Sequence, residues 1–361
     1  MALLAMVIFV AIAGLRLDTG YDWIAYEAAL EEAPPLINLS FGDLPPLIGN
    51  MEPLFVILLC AIKEFGGSIQ ILFFVLALFN GLVFYCFVRY CKGCVILAFA
   101  VYFCWAYLSA QMGIIRQSIA ISFLMLSLIQ FDKSKYSAAA VLLLITAGFQ
   151  YTVLMFAPIF LTRFYRQIIA VRLPLIILML GFYFLGYNLF DALTKILGII
   201  GPSFIESRVT YYANLGASPK SIGSMAYLIL NAFTFLYFSK ITNPQSTIEK
   251  SLMLSILMMI SIQALFWQFP LLWNRAQFFA VIAQSILLYK TWPAISRSHK
   301  VVQLFVVFIL SIAALIKPLM GDGAQPYLPY QSILRFLYSD DPGDGRKRLE
   351  YYNYQVERGM F

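Results

Sequence analysis

Ten long apolar runs, at 1–17, 69–88, 94–111, 113–131, 137–162, 173–190, 223–239, 251–271, 276–291 and 301–319, follow one another along the chain with short polar breaks between them. One helical crossing of a bilayer needs about 20 apolar residues. Lipid offers no partner to an open backbone, so each run is expected to be a helix. The 361 residues leave room for about nine to eleven crossings. Composition agrees, with 61% hydrophobic and only 12% charged residues, against roughly 45–50% and about 25% in soluble domains. Disorder, a disulfide scaffold and a nucleic-acid partner are excluded together, in spite of the formal charge of +7. The expected fold is all-α and polytopic, a single domain over 1–361 with about ten transmembrane helices. Residues 51–65 are also apolar but too short for an upright span, which suits a re-entrant or interfacial helix.

The first run carries no basic leader and ends at Arg16, so it reads as a retained span and not a signal peptide. The five cysteines lie in or beside apolar runs. Cys91 and Cys94 have the spacing of half a zinc site, but the only histidine, His299, is far along the chain, and no metal site is assigned. Basic residues of short loops mark the cytoplasmic side. Arg89 and Lys92, Lys133 and Lys135, Arg163, Arg166 and Arg172, Lys240 and Lys250, and Lys290, Arg297 and Lys300 form five such clusters. Segment 18–50 holds Asp18, Asp22, Glu27, Glu31, Glu32 and Asp43 without a lysine or arginine, which puts it outside together with 111–117, 191–222, 271–275 and the tail 320–361. The run 137–162 has basic loops on both flanks, so a helix break at Gly148 to Thr152 is expected there, unless one cluster violates the rule.

Three groups of residues on the outer face carry possible chemistry. Directly after the first run come Arg16, Asp18, Tyr21, Asp22, Trp23 and Tyr26. Aromatic faces stack on sugar rings, and carboxylates accept hydrogen bonds from hydroxyls or act as general bases; an interfacial aromatic belt with solvated acids fits the same residues. Second, Arg116 and Gln117 open an otherwise apolar run. A membrane arginine is costly and is a functional-site hypothesis by default. Arg208, near Glu206 and Tyr211, and Arg275, beside Trp273, are expected on the same side. Guanidinium groups bind phosphate bidentately, so three outer arginines fit a lipid-linked diphosphate; snorkelling to headgroups also suits Arg275. Third, Pro326, Tyr327, Pro329 and Tyr330 follow the last run, in a pattern that also fits a chain exit anchored at headgroups. Asp340, Asp341 and Asp344 read as a turn and not a calcium loop.

No phosphate-binding loop is present, and a histidine-dependent hydrolase lacks its base. A secondary transporter predicts internal repeats, and none is visible.

The ordered set Arg16, Asp18, Asp22 and Tyr26, then Met51-Glu52-Pro53, then Arg116-Gln117-Ser118, then a polar residue within a span, then Pro-Tyr near the end resembles the EpsG-like branch of the Wzy-type O-antigen and exopolysaccharide polymerases. The resemblance covers most of the chain and rests on the order of short motifs. It implies a glycosyltransferase of the bacterial inner membrane that joins polyprenyl-diphosphate-linked oligosaccharide repeat units on the periplasmic side, without cofactor or nucleotide sugar. Expected partners are that lipid-linked oligosaccharide as donor and acceptor, membrane lipid and a chain-length regulator protein. Asp22, Glu52 and Arg116 are the expected catalytic residues. Arg16, Asp18, Tyr21, Trp23, Tyr26, Gln117, Gln150, Arg208, Tyr211, Arg275, Tyr327 and Tyr330 are expected to bind substrate. An O-antigen ligase and a flippase for the same lipid-linked glycans are the alternatives. Many relatives carry a histidine where this chain has Gln150, and glutamine is no base at neutral pH, so either Asp22 or Glu52 substitutes as general base or the histidine has only a binding role that Gln150 partly reproduces. Relatives usually have one more span ahead of the run ending at Arg16, so either that span is lost here or the sequence starts at an internal position.

Overall fold

The apolar runs fold as helices. Among the residues that the computed structural model describes, 1–187, 219–339 and 343–357, the one extended pairing is an isolated antiparallel bridge between Arg16 and Ser332. Two units form, one from Met1–Leu154 with Ile295–Phe361 and the other from Met155–Ala294. The first unit contains α1 (Ala2–Gly14), α2 (Trp23–Glu32), α3 (Pro46–Gly49), α4 (Pro53–Glu64), α5 (Ile69–Tyr90) and α6 (Val95–Tyr102). A π-helical segment, Phe103–Gly113, extends α6, and α7 (Ile115–Asp132) and α8 (Tyr136–Phe149) follow. The second unit contains α9 (Tyr165–Ala170), α10 (Arg172–Leu185), α11 (Ile222–Ile241), α12 (Thr247–Leu265) and α13 (Pro270–Thr291). The chain then returns to the first unit with α14 (Arg297–Ile316), α15 (Ile333–Ser339) and α16 (Gly345–Glu357).

Among the described residues, six helices are long and apolar enough to cross a membrane, at Ile69–Tyr90, Val95–Gly113, Ile222–Ile241, Thr247–Leu265, Pro270–Ala294 and Arg297–Leu319. A seventh is added if Tyr151–Phe160 and Thr162–Ala170, bent by 41°, are one broken span. The chain is a multi-pass membrane protein. Runs expected as full crossings at 1–17 and 173–190 instead hold the shorter helices Ala2–Gly14 and Arg172–Leu185, and the run 137–162, for which a break is expected, opens with the short helix Tyr136–Phe149. At 1.5 Å per residue these fall short of the hydrocarbon thickness. Helix α7 has the length, but Arg116, Gln117, Ser118 and Ser122 dilute its apolar face. The expected break is present: α8 ends at Phe149, and Gln150 is extended (φ −161°, ψ 111°). Most of the expected loop 191–222 lies outside the described residues.

Aromatic packing holds α1 to its neighbours. The Phe9 ring meets Phe99 edge-on at 5.1 Å and Tyr107 at 4.7 Å, and Phe84 lies 4.6 Å from Phe99. Beside it, a buried polar network ties α5, the π segment and α7 together. Asn80 donates to Gln111 Oε1 (3.0 Å) and Ser118 Oγ (2.9 Å) and accepts from Ser122 Oγ (2.7 Å), while Gln111 Nε2 donates to the Tyr102 hydroxyl (3.1 Å). Where water is scarce, such cross-helix bonds resist separation because the alternative is an unpaired polar group. Asn80→Ala is expected to lower stability by about 1–3 kcal/mol, the cost of the partners left unsatisfied. A lower thermal midpoint in detergent is the readout, and an unchanged one would show that the network adds no stability.

In the second unit, Phe156 packs edge-on against Phe279 at 5.5 Å. Gln284 Nε2 donates to Asn231 Oδ1 (2.6 Å), Gln263 Nε2 to the Ser224 carbonyl (2.7 Å), and Lys290 pairs with Glu249 at 2.5 Å.

Candidate functional site

The π segment sets the position of Arg116. Its i→i+5 pattern, often found at functional sites, ends at Gly113. Ile114 (φ −86°, ψ 68°) then turns the chain into α7, so Arg116 is the second residue of that helix. Facing it is Glu52, held extended (φ −70°, ψ 142°) immediately before Pro53, the first residue of α4. Proline suits that place because its missing N–H would be unpaired there anyway. Arg116 Nη1 and Glu52 Oε2 lie 2.5 Å apart, with side-chain exposures of 21% and 4%. The Tyr26 side chain from α2 hydrogen-bonds the same arginine, and the Phe55 ring stands 6.0 Å from its guanidinium carbon. Three elements distant in sequence thus meet at one cation. Arg116 Nε has no partner, so the guanidinium keeps donors for a further anion while Glu52 is bound.

Next to it, Gln117 is buried, with Oε1 accepting from Thr152 Oγ1 at 2.8 Å and Nε2 unpartnered. Gln150, at the end of α8, is also buried and its Oε1 is unpartnered. The break after α8 therefore brings polar groups to the start of α7.

Other expected site residues have different settings. Arg16 is 1% exposed. It donates from Nη1 to the Gln111 carbonyl at 3.0 Å, and its guanidinium lies 3.9 Å over the Phe73 ring. Among the described residues no carboxylate pairs with it. Burial pulls its pKa down to about 10, which leaves it charged at neutral pH. Its surroundings are those of a residue fixing the π segment to the loop after α1. Asp18 (φ 47°) is partly buried; burial pushes its carboxyl up, and Arg346 opposes this. Asp22 directly precedes α2. Trp23 and Tyr26 are buried at 1% and 2% exposure, and Tyr26 packs edge-on against Phe55 at 5.6 Å. Tyr21 meets buried Tyr327 edge-on at 5.0 Å, and burial raises the Tyr21 phenol. Tyr330 donates its hydroxyl to the Ile12 carbonyl at 2.9 Å. Arg275 lies near the start of α13, in the second unit. Arg208 and Tyr211 lie outside the described residues.

Sequence reasoning singled out Tyr327 and Tyr330 in the tail but missed Arg346. Arg346 pairs with Glu27 and stands 5.0 Å over Trp23. The available signal was charge complementarity: a basic run, Arg346-Lys347-Arg348, and a loop, 18–50, that has acids and no bases.

The model of the EpsG family matches residues 1–332. No curated protein and no solved structure matches the chain. The family match takes in α1 to α14, and with them the Arg116–Glu52 pair and the break at Gln150: the chain belongs to the EpsG family.

Proposed function

We propose that this chain is a polymerase that joins polyprenyl-diphosphate-linked oligosaccharide repeat units at the periplasmic face of the bacterial inner membrane. EpsG family membership makes it a polysaccharide-polymerase type of membrane protein, and one observation supports the finer reading: Arg116, paired with Glu52 and reached by Tyr26, keeps unused donors and a partly open edge.

A diphosphate arriving at Arg116 competes with Glu52 for the guanidinium. Arg116 then binds phosphate oxygens, and Glu52 is released beside the reacting groups. The acceptor sugar's hydroxyl oxygen attacks the anomeric carbon of the growing chain, and its proton passes to the Glu52 carboxylate. The bond from the anomeric carbon to the phosphate oxygen breaks, and the lipid diphosphate leaves with the electron pair, its added charge held by Arg116. A preorganised cation aimed at the oxygen where charge develops lowers the barrier without reorganisation. A carboxylate within reach supplies general-base assistance, a task Gln150 cannot perform.

Incubating the purified protein with synthetic lipid-linked repeat units, without nucleotide sugar or metal, is expected to yield a ladder of products spaced by one unit. No ladder from folded, substrate-binding protein would overturn this reading. Transfer of finished glycan to a lipid acceptor would then identify a ligase, and translocation without bond formation a flippase.

A further inference from the structure

Helix α16 lies beyond the residues matched by the family model, yet it covers the acidic and aromatic loop that follows α1. The Arg346 guanidinium stands over the Trp23 indole and pairs with Glu27. The Tyr352 ring lies 5.5 Å from that of Tyr21. Asp344 accepts from Gln331 Nε2 and Arg348 Nε, both at 2.8 Å, and Arg348 also donates to the carbonyls of Gln325 (2.8 Å), Leu328 and Pro329 (3.0 Å). Gly345 packs so closely on Asp18 that any Cβ there would overlap the Asp18 carbonyl. Beneath the helix, the buried Trp23 Nε1 has no hydrogen-bond partner. Unpaired buried indole N–H groups are uncommon in native proteins and need a reason.

The contacts are of a kind that opens. Leu349 is the only large apolar side chain of α16 buried to 1%; charges, hydrogen bonds and ring edges supply the rest, and Arg346 is half exposed. Elements with so little apolar anchoring fall at the low end of local stability, and salt weakens an exposed ion pair.

We propose that α16 is a strap lying on a carbohydrate-binding surface made by Asp18, Tyr21, Trp23 and Glu27, with Arg346 on the indole face where a sugar ring would stack, so that strap and glycan compete. A sugar in that place would present a hydroxyl to Trp23 Nε1, the donor that the strap leaves unsatisfied, and further hydroxyls to the two carboxylates. This rests on the reading of the chain as one that handles glycans, but concerns a different surface from the Arg116–Glu52 pair.

The test uses the full chain in lipid nanodiscs. Oligosaccharide fragments, released by partial acid hydrolysis of the source organism's own polysaccharide, serve as probe, and hydrogen exchange is followed over 345–357. Arg346→Glu places two acids together and removes the cation from the indole. Faster exchange across α16 and about five- to tenfold tighter fragment binding are expected, the scale of one lost exposed ion pair plus one cation–π contact. The swapped pair Arg346→Glu with Glu27→Arg should return exchange towards the original rate. Exchange unchanged by Arg346→Glu would overturn the strap. Faster exchange without a gain in binding would overturn the carbohydrate surface. A protein that builds a normal ladder yet shows no such gain refutes the competition between strap and glycan and leaves the polymerase standing; one without a ladder whose binding still rises on opening keeps that competition and loses the polymerase.

Discussion

Arg116→Ala should reduce the rate of ladder formation by about 10²- to 10³-fold, the usual cost of removing one preorganised donor from a developing anion. Single-unit substrate should accumulate while binding of the sugar portion persists. The substitution has a second consequence that must be separated from the first. It leaves the Glu52 carboxyl group buried without its cation, and breaking a buried pair from one side costs about 3–5 kcal/mol. Loss of product from Arg116→Ala alone could therefore report unfolding. The double variant Arg116→Ala with Glu52→Gln removes the stranded carboxyl group and should recover most of the thermal midpoint while remaining inactive. Arg116→Lys retains charge without the planar fork and should fall between, because an ammonium meets the diphosphate as a point charge and not bidentately. Glu52→Gln by itself keeps an acceptor for Arg116 but no base, and should slow the ladder by about 10²- to 10⁴-fold. A ladder of normal rate and length from Arg116→Ala would end the role given to this pair.

The helical class and the pairing of distant motifs were within reach of the sequence for different reasons. Apolar runs are local, and their meaning in a membrane is nearly forced. Their number was not, because an apolar run need not be one long helix: 137–162 contains a helix that stops at Phe149, an extended Gln150 and a 3₁₀ stretch over Tyr151–Phe160. That break left a trace, since basic residues flank the run on both sides. Arg116 could be singled out as a charge within an apolar run, whereas Glu52, 64 positions away, entered through the ordered motifs of the family resemblance. Arg16 was singled out with the carboxylates and aromatics that follow it and has a different setting. Nothing in its local sequence separates an arginine that faces a ligand from one that caps the Gln111 carbonyl and lies over Phe73. The distinction depends on which side chains close around it. The contact between Arg346 and Glu27 spans 319 positions, and only the opposite charges of the two segments pointed to it.

Gly20→Ala should be the most damaging small substitution in the loop after α1. Gly20 has φ +117°, a conformation that L side chains rarely adopt, and a Cβ there would run into the Met112 carbonyl. Its N–H is donated to the Pro326 carbonyl at 2.7 Å, so the loop cannot swing away without losing a bond to the chain that leads into the tail. Backbone strain of about 1–3 kcal/mol and overpacking of about 1–3 kcal/mol together predict a loss of roughly 2–6 kcal/mol. Gly66, with φ +66° and open space within 4 Å of where a methyl would stand, provides the comparison: Gly66→Ala carries the strain without the collision. The difference between the two thermal midpoints measures the close approach of the loop to the π segment. The collision also bears on catalysis, because Met112 lies at the end of the π segment, just before the turn at Ile114 that delivers Arg116 to Glu52. If the loop yields, Arg116 stays in place and the folded fraction of Gly20→Ala should form a normal ladder. If the turn yields, the ladder should weaken along with stability. Equal midpoints for the two variants would mean that loop and turn separate at little cost, and that the geometry around Arg116 is set by α7 and α4 alone.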